Sequence, residues 1–145
     1  MGESIINQGY LEQQMNLPEV DLRQYSPLTL AYIGDGVFEL IIRTIMVQQE
    51  NCPVQKLHRR TSTLVKAENQ AEMIDRMMPY LTEEEQTAYR RGRNAKSYTK
   101  AKNASMGEYH RATGFEALLG YLYLAGRYER ITDLIRCGRE KQKES

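Results

Sequence analysis

The sequence predicts an all-α protein. Helical periodicity recurs along most of the chain, helix-start and helix-stop residues stand where the periodic stretches begin and end, and strand signals are weak. No run of alternating β-branched residues occurs, and no Asn-Gly or Asp-Gly turn joins two such runs.

Ser26 followed by Pro27 reads as an N-cap with proline in the first helical position, opening a long helix to about Gln48. Pro53 opens the next periodic stretch, "PVQKLHRRTSTLVKAENQAEMIDRMMPYL", which is expected to bend or break near Lys66 to Asn69. Thr82 to Glu85, "TEEE", has the form of a capping box for a helix running into "QTAYRRGRN". After Gly92 the polar, basic "RNAKSYTKAKNASMG" reads as a mostly irregular loop. The apolar "EYHRATGFEALLGYLYLA" follows, stopped by Gly126, and a last helix, "RYERITDLIRCGREKQK", frays into charge. Residues 1–25 carry little of this pattern and are expected to form an extra helix or to be partly disordered. One domain, residues 26–145, accounts for the rest, with no repeat and no dividing linker.

A chain of 145 residues can close a core without disulfides or a structural metal. Cys52 and Cys137 show no metal-ligand spacing, so a reducing cytoplasm is expected. The N-terminus lacks a basic patch followed by an apolar stretch, and the most apolar run, residues 28–47, is broken by Asp35, Glu39 and Arg43. Neither secretion nor a membrane span is expected. A net charge of +1 gives by itself no reason to expect nucleic acid.

The chemistry lies in "LAYIGDGVFEL", residues 30–40, where Asp35 sits between Gly34 and Gly36 in a segment apolar enough to require burial. Each glycine in a helix interior costs roughly 1 kcal/mol relative to alanine, and a buried unpaired carboxylate costs more. Helical spacing aligns Ala31, Asp35, Glu39 and Arg43. One reading is a close helix crossing at the glycines, with Asp35 satisfied by Arg43 or a backbone amide. The other draws on Glu116, the single acid in "ATGFEALLGYLYLAG". If the two apolar helices pack together, the two carboxylates meet and need a proton or a cation between them. Magnesium suits that place, because it takes one or two carboxylates, keeps several waters and meets phosphate oxygens. Glu39 is either a further outer-shell ligand or a partner of Arg43.

"LAYIGDGVFEL" resembles the signature helix of the ribonuclease III catalytic domain, and "TGFEALLGYLYL" resembles that family's second acidic helix. "RGRNAK" and "KNAS" further resemble its small bacterial branch, the Mini-ribonuclease III group. The resemblance runs in order from about Ser26 onward. It implies an all-helical homodimeric endonuclease that uses Mg2+ to cut both strands of double-stranded RNA, leaving 5′-phosphate and 3′-hydroxyl ends. It implies Asp35 and Glu116 as catalytic residues and metal ligands. Two further acids usual in the family are replaced, by Ala31 and Thr113. Within that branch the implied substrate is precursor large-subunit (23S) ribosomal RNA, with a ribosomal protein already bound. A catalytically inactive RNA-binding ribosome-assembly factor of the same fold is the alternative that Ala31 and Thr113 keep open. The separate double-stranded-RNA-binding domain common in the family is not expected after Ser145.

RNA contact is expected in the acid-free stretch from Arg90 to Met106, through Arg91, Arg93, Asn94, Lys96, Lys100, Lys102 and Asn103. Arg59 and Arg60, with Lys56 and Lys66, form a second basic stripe expected to contribute phosphate contact, with part of it holding the fold together. The Leu28 to Val47 run is apolar around most of its circumference, which predicts a two-fold contact through Phe38, Ile41, Ile42 and their neighbours.

Overall fold

The computed structural model describes residues 6–96 and 105–143. Among the described residues there are seven helices and no strand. They are α1 (Gln8–Gln14), α2 (Pro27–Gln49), α3 (Val54–Leu64), α4 (Ala67–Met77), α5 (Glu83–Arg93), α6 (Met106–Leu124) and α7 (Tyr128–Lys143).

Helix α2 starts where Ser26 accepts a hydrogen bond from the Thr29 amide, with Pro27 at the first helical position. The expected bend near Lys66 is a full break, which separates α3 from α4. The carbonyls of Leu64 and Val65 left over at that break accept hydrogen bonds from the side chains of Asn69 (2.6 Å) and Gln70 (3.2 Å). Thr82 and Glu85 form the expected capping box of α5. Ser105 and Glu108 form a second one at the start of α6. Gly126, at φ 78°, ends α6 in a Schellman turn, with the Arg127 amide bonded to the Leu122 carbonyl and the Gly126 amide to that of Tyr123.

Helices α2 and α6 form the most extensive contact in the fold. They cross with their backbones touching. A Cβ on Gly34 would lie 1.8 Å from the Glu116 carbonyl oxygen, and one on Gly120 would lie 1.9 Å from that of Leu30. Around this crossing α4, α5 and α7 close a core that includes Phe38, Ile42, Met73, Ile74, Phe115 and Leu122, all fully buried. The Phe38 and Phe115 rings meet edge to face, with centroids 4.9 Å apart. Glu85, buried at the start of α5, accepts two hydrogen bonds of 2.8 Å from Arg130 of α7. That guanidinium holds the Glu85 carboxyl below the usual carboxylate range.

The sequence-based expectation of a two-fold contact through Phe38 and Ile42 is corrected by this packing. Both are 0 % exposed, because they point into the protomer's own core, and Ile41 is half-buried beside them. Helix α2 instead leaves Leu28, Tyr32, Leu40 and Val47 exposed.

Candidate active site

Asp35 and Glu116 are carried to one place by the α2–α6 crossing. Gly34 lies directly against the Glu116 backbone, so the next residue of α2 stands beside the Glu116 side chain. The two carboxyls are close enough for a protonated Glu116 to hydrogen-bond to Asp35. Burial, and then the neighbouring Asp35 charge, push the Glu116 carboxyl up to about 8. Gln70 of α4 works in the opposite direction, donating from Nε2 to Glu116 Oε2 at 3.4 Å.

Asp35 itself is exposed, as is Gly36, and a Cβ on Gly36 would meet nothing within 4 Å. Of the reading that put a close helix crossing at the two glycines, the crossing therefore holds at Gly34 alone. One face of α2 is covered by α6, while Asp35 lies at the edge of that contact and opens the pair to solvent. Asp35 is not matched with Arg43, whose guanidinium bonds Glu39 at 2.7 Å.

Ala31 and Thr113 are both buried, and the Thr113 hydroxyl donates to the Tyr109 carbonyl at 3.0 Å. Among the described residues no group of three or more His, Cys, Asp or Glu side chains converges. Two carboxylates and an amide are thus the protein groups on hand. They offer hard oxygen donors of the kind a small divalent cation takes, with most of its shell left to water and substrate.

The basic residues divide into two groups. Arg91 and Lys96 are exposed at the end of α5. Arg93 is half-buried, its guanidinium over the Tyr89 ring at 5.6 Å and its Nε bonded to Asn94 Oδ1 at 3.2 Å. Asn94 is exposed and caps α5. Lys100, Lys102 and Asn103 lie outside the described residues. On α3, Arg59 is exposed, while Arg60 and Lys56 both pair with Glu50, at 2.7 and 3.2 Å. Gln70 escaped the sequence reading. Its signal was its phase, since it shares the helical stripe of Met73, Ile74 and Met77, all of them buried.

The ribonuclease III domain family matches residues 28–127, which include both acidic helices. Mini-ribonuclease 3 of Thermoanaerobacter is 50% identical over 127 residues, covering 88% of this chain and 89% of that relative. The chain belongs to the Mini-ribonuclease 3 family. Mini-ribonuclease 3 of Clostridium tetani is 48% identical over 118 residues, covering 80% of this chain and 78% of the relative. A crystal structure of a Fusobacterium nucleatum protein superposes with a TM-score of 0.76 at 29% identity, covering 86% of this chain and 99% of that one. The family and the activity expected from the motifs, an endoribonuclease acting on double-stranded RNA, are thereby borne out. No described helix is long and apolar enough to cross a membrane.

Proposed function

We propose that the protein hydrolyses double-stranded RNA at a magnesium site built on Asp35 and Glu116, that it works as a homodimer, and that its substrate is precursor 23S ribosomal RNA carrying a bound ribosomal protein. The observation that supports this reading is the meeting of the two acids at the α2–α6 crossing, with one of them open to solvent. Two carboxylates this close repel unless a positive charge stands between them, and in its absence they share a proton. When bound, magnesium supplies Lewis-acid stabilisation of the phosphoryl oxygens and lowers the pKa of an attacking water.

The chain supplies the rest. Asp35, on the solvent side, faces the phosphate and orients the water. Glu116, fixed by the crossing, holds the opposite side. Arg91 and Lys96 meet phosphates beyond the site, and Arg93 and Asn94 shape the end of α5 from which they project. With Lys100, Lys102 and Asn103, and with Arg59 on α3, they follow the RNA backbone by shape and charge. Arg60 is tied to Glu50 and serves the fold.

Structured duplex RNA incubated with Mg2+ tests the reading. Wild type should cut it, and Asp35→Asn should cut at least about 100-fold more slowly while keeping its fold and RNA binding. The buried Ala31 and Thr113, which stand where the family usually has acids, favour a second reading, an assembly factor that binds without cutting. Wild type that shifts the RNA on a gel and leaves it intact would establish that alternative.

A further inference from the structure

Gln70 is 2 % exposed, and both of its donor contacts are specified. Nε2 donates to the Val65 carbonyl at 3.2 Å, at the break between α3 and α4, and to Glu116 Oε2 at 3.4 Å on α6. An amide nitrogen has two hydrogens, so this pair of acceptors uses them both. The first bond anchors the side chain to backbone. The second delivers a fixed donor to one oxygen of Glu116.

The residue type matters here. A lysine or arginine in this position would neutralise one acid and displace a cation. A carboxylate would add a third negative group to a crowded site. A leucine or methionine would leave the Val65 carbonyl and the Glu116 oxygen without this donor. A neutral amide orients the carboxylate and leaves the charge of the Asp35–Glu116 pair available to a divalent ion.

We propose that Gln70 is a positioning residue that clamps Glu116 Oε2 against the α3–α4 break, so that the other oxygen of Glu116 faces the metal site. The inference rests on the magnesium-site reading given above. It adds a third helix, α4, to the two that carry the acids, and it gives the α3–α4 break a role in the site.

The test compares Gln70→Met with wild type and with Gln86→Met. Gln86 donates to the Leu81 carbonyl at 3.4 Å, the same five-residue backward bond, and does not bridge to Glu116. Mn2+ binding without RNA is measured by calorimetry, and RNA binding is measured in EDTA. Gln70→Met should weaken Mn2+ binding about tenfold, with RNA affinity changed less than about twofold and Gln86→Met close to wild type in both. In wild-type protein the side-chain amide signal of Gln70 in an NMR spectrum should shift on adding Mg2+, a readout that does not require the variant to fold. Unchanged Mn2+ affinity in a folded Gln70→Met, an equal loss in Gln86→Met, or a Gln70 amide signal indifferent to Mg2+ would each overturn the proposal. Failure of the underlying site is distinguishable, because wild type itself would then bind Mn2+ no more tightly than Asp35→Asn.

Discussion

A proton is the natural occupant of two facing carboxyls when no cation is present, and that links the site to pH. The Glu116 carboxyl is raised from 4.5 to about 8, first by burial and then by the Asp35 charge. Between those values the folded chain keeps a proton that the unfolded chain has released. Stability from this group is therefore withdrawn as pH rises through that window, and the full penalty stands above about 8. Without divalent metal, the melting temperature of wild type should fall relative to Glu116→Gln as pH goes from 5 to 8.5. Added Mg2+ should stabilise wild type more at the upper end, where no proton has to be displaced. A difference between the two proteins that does not vary with pH would remove the shared-proton description. The two acids were legible because each interrupts an apolar stretch, Asp35 between two glycines and Glu116 as the single acid of "ATGFEALLGYLYLAG". Gln70 was not, since a single glutamine in a mixed helix ordinarily faces water and only its phase against Met73, Ile74 and Met77 marks it as buried.

The two glycines beside Asp35 answer to different neighbours, and a pair of alanine substitutions separates them. At Gly34 the added methyl would fall 1.8 Å from a backbone oxygen of α6, which cannot swing aside as a side chain can. The helices must part, so Gly34→Ala should destabilise the protein by about 1–3 kcal/mol or more in urea unfolding. Because the clashing oxygen belongs to Glu116, cleavage should fall as well. At Gly36 nothing stands within 4 Å. There alanine should add about 0.5–1 kcal/mol, through reduced backbone freedom in the unfolded chain. Equal effects at the two positions would contradict the crossing. The sequence signalled a close approach, but not which glycine makes it, since apolar composition measures how much of a helix is covered and not which arc. The same gap misassigned Phe38 and Ile42 to an outer face. Caps were more readable, and even the unclaimed one at Ser105 follows the S-x-x-E pattern in "SMGE".

The outer arc of α2 bears on how many copies act together. Tyr32, Gly36, Leu40 and Val47 are exposed and fall within about 80° of one another around the helix axis, an arc that also carries Arg43, paired with Glu39. Single exposed apolar residues are ordinary, but a row along the longest helix of the fold is the kind of patch that a partner covers. Under a two-fold axis the same row meets itself. The homodimer proposed above is therefore expected on this arc and not through Phe38 and Ile42. Leu40→Glu places a carboxylate from each copy in the contact, while Leu40 at 42 % exposure contributes little to the protomer's own core. Wild type should sediment as a dimer at micromolar concentration and Leu40→Glu as a folded monomer. Since cutting both strands of a duplex calls for two sites, the monomer should also lose paired cuts and leave at most single-strand nicks. A wild-type monomer, or a Leu40→Glu protein that remains dimeric, would move the interface off this face of α2.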